Sequence, residues 1–207
     1  MILIWRPDTN PDVWALASLT NYLDLCDKGL KANLAVPAPQ PFPESTLEIE
    51  TEAEPADFIL AWSVFVVSKE LRDCLEEFKV PAEYFQLRVI HKGKLYRKRE
   101  YYFTNLLDVA DCFDYEKSEY QRTPVGVTEI EKLVLDDSRA TGHHLFILGP
   151  IGWAHSPNPK AVGDAIICAS EELARRVLGL GLTGVVFSRP EHRRDYPPPA
   201  WRPPACA

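Results

Sequence analysis

The sequence predicts an α+β fold: a mixed, mostly antiparallel sheet with several packed helices, containing two similar strand-helix-strand units. Three observations predict it. Short apolar runs rich in β-branched residues recur along the chain, at 58–67, 130–135, 144–148, 166–169 and 185–188. Two serines, Ser68 and Ser170, each open a stretch with apolar residues at helical spacing and an acid in the first turn. The two segments also match at one constant offset. Val64 and Phe65 correspond to Ile166 and Ile167, Ser68, Glu70 and Leu71 to Ser170, Glu172 and Leu173, and Phe85 to Phe187.

In chain order, residues 2–5 read as a strand stopped by Pro7. Asn10-Pro11 reads as the start of a helix on which Leu16, Leu19, Leu23 and Cys26 share a face, closed by Gly29. Between Pro37 and Pro55 the periodicity disappears. Pro37, Pro39, Pro41 and Pro43 and the run Glu44, Glu48, Glu50, Glu52 and Glu54 predict an extended, solvated surface segment. After the 58–67 strand, a helix runs from Ser68 until Pro81 ends it. Residues 84–91, the turn Lys92-Gly93-Lys94 and residues 95–103 read as a hairpin with a basic tip.

The chain is organised around 101–120, YYFTNLLDVADCFDYEKSEY. It starts as a strand. Leu106, Val109, Ala110 and Phe113 then predict a helix whose other side carries Asp108, Asp111 and Asp114. Residues 149–163 read as a Pro/Gly loop. Residues 1–194 are expected to form a single domain, and 195–207, with its proline clusters, a disordered tail in which Trp201 is the residue able to dock.

Of 207 residues, 46% are hydrophobic and 11% aromatic, enough for a sizeable core. The net charge of −7 argues against direct binding of nucleic acid and suits a basic partner. The start, MILIWRPD, has an apolar run of four and no basic residues before it, so no signal peptide is expected. No stretch has the roughly 18 apolar residues of a membrane span. Five scattered cysteines without a C-x-x-C pair fit reduced thiols and a cytoplasmic location.

Few motifs suggest chemistry. Gly179-x-Gly181-x-x-Gly184 has dinucleotide-loop spacing, but it closes a helix and precedes a strand, the reverse of the required order. A left-handed helix cap at Gly179 or Gly181 is the expected role. His143 and His144 are adjacent, so on a strand they point to opposite faces and make a poor metal pair. No catalytic constellation, metal site or cofactor is expected. The acids Asp108, Asp111, Asp114, Glu116 and Glu119, with Tyr115 and Tyr120 as aromatic anchors, are the candidate docking surface. Glu44, Glu48, Glu50, Glu52 and Glu54 form the second candidate. The alternative is a small-ligand site or enzyme in which the acidic helix 106–119 meets His143 and His144 in one pocket. Self-association is left open.

Three blocks carry a family resemblance. They are Asn105-Leu106-Leu107-Asp108-x-x-Asp111-Cys112-Phe113-Asp114 with Lys117-Ser118-Glu119-Tyr120; Ile130-x-Lys132-Leu133-Val134-Leu135-Asp136-x-Ser138 with Gly142-His143-His144-Leu145-Phe146; and Ile167-Cys168-Ala169-Ser170-Glu171-Glu172-Leu173 leading to Gly181-Leu182-Thr183-Gly184-Val185-x-Phe187. Together, over about 65–190, they resemble the bacterial Imm11 immunity proteins. The resemblance implies a cytoplasmic, non-enzymatic protein of a polymorphic-toxin or type VI secretion system. Its partner would be a cognate toxin, encoded by the adjacent gene, which it neutralises by binding.

Overall fold

The computed structural model describes residues 1–10, 17–30, 35–61, 64–123, 126–149, 165–195, 197 and 199–204. In order, the elements are β1 (Ile2–Pro7), β2 (Ala17–Leu19), α1 (Tyr22–Asp27), β3 (Ser45–Ile49), β4 (Phe58–Ala61), β5 (Val64–Ser68), α2 (Lys69–Glu77), β6 (Ala82–His91), β7 (Lys94–Leu95), β8 (Tyr101–Leu106), β9 (Val109–Ala110), β10 (Glu119–Thr123), β11 (Gly126–Lys132), β12 (Leu145–Leu148), β13 (Ile167–Ser170), α3 (Glu171–Gly179) and β14 (Val185–Ser188). Short 3-10 turns occupy Asp137–Ala140 and Pro190–His192.

The expected α+β class holds, with more sheet and less helix than the sequence suggested. Three α-helices are found among the described residues, one of them only six residues long. One sheet has the order β14-β1-β13-β12-β9, the larger one β2-β3-β6-β8-β5-β4 with β7 paired to β6, and β10-β11 stand apart as a ribbon. Pairing is antiparallel except for β3 with β6 and β12 with β9.

The internal echo has a topological counterpart. In the larger sheet, β5, α2 and β6 form a strand-helix-strand unit in which β8 lies between the two strands, antiparallel to both, and β4 flanks β5. In the five-stranded sheet, β13, α3 and β14 do the same around β1, with β12 flanking β13. The two helices span 69–77 and 171–179, the offset read from the sequence. Each starts on a serine whose hydroxyl accepts the N–H of the third residue on, Leu71 or Leu173, at 3.2 Å. The inserted strands differ in origin. β8 follows its unit in the chain, whereas β1 comes from the opposite end of the sequence.

Both helices bury their apolar stripes in one core. Leu71, Cys74 and Leu75 of α2 join Leu173, Ala174 and Val177 of α3, with Phe65, Val67 and Tyr102 from the larger sheet and Leu3, Trp5 and Phe187 from the smaller. Trp201 completes this core. It is 7% exposed, and its backbone N–H donates to the Phe187 carbonyl at 2.6 Å. Burial of an indole of that size stabilises by about 2–3 kcal/mol.

Several sequence expectations are corrected. Among the described residues, the helix expected over 16–26 is replaced by a strand and a shorter helix. Leu19 belongs to β2, α1 starts at Tyr22, and Leu23 is 76% exposed. Pro11 and Leu16 lie outside the described residues, as do 150–164 of the expected Pro/Gly loop and Cys206. The 37–55 segment is not a solvated loop throughout, because 45–49 form β3. Leu47 and Ile49 alternate inward against outward Thr46 and Glu48, and parallel pairing to β6 satisfies the backbone. The hairpin turn is as expected, with Lys92 at φ 51° and Gly93 at φ 70°, but its return strand is interrupted: β7 and then β8 pair antiparallel with β6.

Candidate functional site

The central correction concerns 106–119, which is not an acidic helix. After β8 the chain forms β9 and an isolated bridge from Phe113 to Leu135, then turns at 115–117 and enters β10. Backbone competition explains it. The Asp114 carboxylate accepts the N–H groups of Glu116 and Lys117 at 3.1 and 3.0 Å, which holds a turn in place of a helix. Val109 is β-branched, pairs with Ile147 in a parallel ladder and is 45% exposed, contrary to its expected place on a buried helical face.

Without the helix, the acids separate. Asp108 is mostly buried and accepts from His143 Nδ1 with both oxygens at 2.9 Å. Asp111 pairs with Arg139 at 3.0 Å, Asp114 with Lys117 at 2.8 Å and Glu119 with Lys132 at 3.8 Å. Glu116 is exposed. The lysine bond holds the Asp114 carboxyl below the usual carboxylate range, and bonds from the Ser138 hydroxyl and N–H do the same for Asp136. Tyr115 and Tyr120 are half-buried around Phe113, at ring separations of 4.7 and 5.3 Å. They build the floor of this region more than they project from it.

The second acidic run also divides. Lys92 neutralises Glu52, and Lys98 neutralises Glu54, which also accepts from the Tyr96 hydroxyl at 3.0 Å. The basic hairpin therefore balances this run within the fold. Glu44, Glu48 and Glu50 remain exposed and form no ion pair among the described residues.

His143 and His144 diverge as adjacent residues do before a strand. His144 Nδ1 lies 3.0 Å from the Ser170 hydroxyl, and its ring stands edge-on to Phe78. Both histidines line a cleft of about 460 Å³ with Ile2, Asp137, Thr141, Ser170 and Glu172. None of the five acids of 108–119 lines it; Asp108 reaches His143 outside the cleft lining, and the five acids do not converge on the two histidines in one pocket. Among the described residues, no three His, Cys, Asp or Glu side chains come together as a metal site.

Sequence reasoning missed Asp57. This carboxylate is 5% exposed and accepts from the Ser68 hydroxyl (2.8 Å), the Thr183 N–H and hydroxyl (2.9 Å each) and Arg99 Nη1 (3.2 Å). It ties the cap of α2 to the glycine-rich turn after α3. His144 stands at the matching place in the second unit: the Ser68 N–H donates to the Asp57 carbonyl, and the Ser170 N–H to the His144 carbonyl. The signal in the sequence was an acid just before an apolar run, which is too common to read alone.

The glycine motif is structural. Gly181, at φ 69°, ends α3 in the left-handed region. Gly184, at φ 89°, passes so close to β4 that a Cβ there would lie 2.1 Å from the Phe58 carbonyl oxygen.

These features define a sheet-rich protein with charged, mixed surfaces, and no helix of the described residues is long and apolar enough to cross a membrane. The chain matches the immunity protein family Imm11 over residues 27–190 and belongs to that family. Membership implies a non-enzymatic role in neutralising a toxin. No curated protein matches the chain.

Proposed function

We propose that this protein neutralises a cognate bacterial toxin by binding it one to one, in a polymorphic-toxin or type VI secretion setting. The observation that carries this is the family match over 27–190. The net charge of −7 supports a basic toxin domain, for example one that attacks nucleic acid, because opposite charge speeds encounter. A standard interface would bury on the order of 1,600 Å². Toxin-immunity pairs of other families reach a Kd of about 10⁻¹³ M. Two surfaces are available: the acids of 108–119 with Tyr115 and Tyr120, and the exposed glutamates from Glu44 to Glu54. The protein acts in the cytoplasm, where the toxin of a kin cell would arrive.

The test is co-expression with the toxin domain encoded by the adjacent gene. Restored growth together with a one-to-one complex supports the reading. No rescue and no complex, with both proteins folded, overturns it.

A second reading, a small-ligand site, draws on the 460 Å³ cleft at His143 and His144. A variant with His144→Ala and Thr141→Arg that still rescues growth in full would leave the cleft without a part in neutralisation.

A further inference from the structure

The larger sheet is covered unevenly. On one face, α2 lies over β5 and β8, and its Leu71, Cys74 and Leu75 pack against Phe65, Val67 and Tyr102. Pairing carries this face outward from Tyr102 through Gln86, Arg88 and Ile90 of β6 to Thr46 and Glu48 of β3 and Ser18 of β2. Among the described residues, the cover stops there. Glu48, Gln86 and Arg88 are exposed, and Ser18, Thr46 and Ile90 are half-buried. Leu95 pairs with Ile90 and is 42% exposed on the same face. The opposite face of the same strands is closed, with Leu47, Ile49, Leu87 and Val89 in a core against Leu25 and Leu30.

We infer that this open face of β2-β3-β6-β7 is the surface on which the toxin docks, and that the toxin presents a basic patch with an apolar centre to it. The inference rests on the immunity reading above. Charge complementarity selects the occupant. Of the five glutamates in the Glu44–Glu54 run, Glu52 and Glu54 are satisfied by Lys92 and Lys98, while Glu48 on the strand and Glu44 and Glu50 at its ends form no ion pair among the described residues. Glu48 points outward on β3, and Glu44 and Glu50 flank the strand at its two ends. In the rival acidic region, four of the five acids already hold an internal cation or histidine. An internally paired acid gains less from a partner's cation than a free one, because its own pair must first be broken. Ile90 and Leu95 supply the apolar centre, which the free acids rim, the arrangement of an energetic interface.

The experiment measures affinity for the toxin domain whose toxicity the wild-type protein suppresses. Glu48→Lys combined with Leu95→Asp alters only exposed side chains, and unchanged urea unfolding confirms that the fold is kept. The expected result is an affinity loss of at least about 100-fold with failed rescue, while Asp111→Lys combined with Glu116→Lys stays within about 3-fold of wild type. Sheet-face variants that bind as wild type overturn the docking surface and leave the immunity reading intact. A wild-type protein that neither binds nor rescues overturns the immunity reading and this inference with it.

Discussion

Asp57 accepts two hydrogen bonds from Thr183, one from the backbone N–H and one from the hydroxyl, each 2.9 Å long, across 126 residues of sequence. The same carboxylate takes the Ser68 hydroxyl and Arg99, so one buried acid joins the start of α2 to the turn that leaves α3. Asp57→Ala leaves the donors of Ser68 and Thr183 without an acceptor in a site with little water. The expected loss is roughly 3 kcal/mol of stability, with a smaller loss for Asp57→Asn, which keeps one acceptor. Urea unfolding of the two variants checks this; equal, negligible losses would show that the network contributes nothing.

Two of the left-handed glycines, Gly181 and Gly184, should respond differently. Gly181 has open space around it, so Gly181→Ala costs only the conformational strain of about 1 kcal/mol. At Gly184 the added methyl meets the Phe58 carbonyl at 2.1 Å, and backbone has to move. Gly184→Ala is expected to cost at least about 3 kcal/mol and to weaken the contact between β4 and β14. Thermal unfolding of the pair is sufficient, since the difference between them is the predicted quantity.

Ser68 and Ser170 cap their helices with the same 3.2 Å bond, and each hydroxyl has a second partner, which is the half-buried His144 ring for Ser170 but the buried Asp57 carboxylate, a stronger acceptor, for Ser68. Ser170→Ala should therefore cost about 1 kcal/mol, and Ser68→Ala about 2 kcal/mol. A double-mutant cycle of Ser68→Ala with Asp57→Ala should show coupling. The same cycle with Ser170→Ala in place of Ser68→Ala should be additive.

Burial pushes the Cys112 thiol up to about 12, from an ordinary 9.0, and raises Cys168 beside it as well. The folded state therefore keeps a neutral thiol where the unfolded chain ionises. The contribution is complete below pH 9 and is lost as pH rises towards 12, by about 1.4 kcal/mol per pH unit per thiol. Unfolding free energies at pH 8.5 and 10.5 should fall more steeply for wild type than for Cys112→Val. The same burial makes Cys74, Cys112 and Cys168 slow towards thiol reagents, with half-buried Cys26 the faster site.

Legibility followed the range of the interactions. The α2 and α3 helices were readable because a serine cap, a first-turn acid and a four-residue apolar spacing all act within one or two turns. The Gly181 cap and the Lys92-Gly93 turn were readable for the same reason, since a positive φ is a local demand. The 106–119 stretch misled because Leu106, Ala110 and Phe113 are buried in either conformation, so periodicity could not tell a helix from short bridged strands. Its outcome depended on Asp114 capturing two N–H groups and on Ile147 offering a ladder 38 residues from Val109. β3 was hidden in the proline-rich segment because its pairing partner, β6, lies on the far side of a helix in sequence.

The sequence by itself determined the α+β class, the repeated strand-helix-strand unit and the family, because each is written in local spacing or in blocks of adjacent residues. Only the tertiary structure decided that β1 enters the second unit from the far end of the chain. It also decided that Asp57 joins the two units, and which glutamates stay free once the basic hairpin has taken its share. These depend on which distant segments meet, and charge or hydrophobicity along a chain does not specify its own partner.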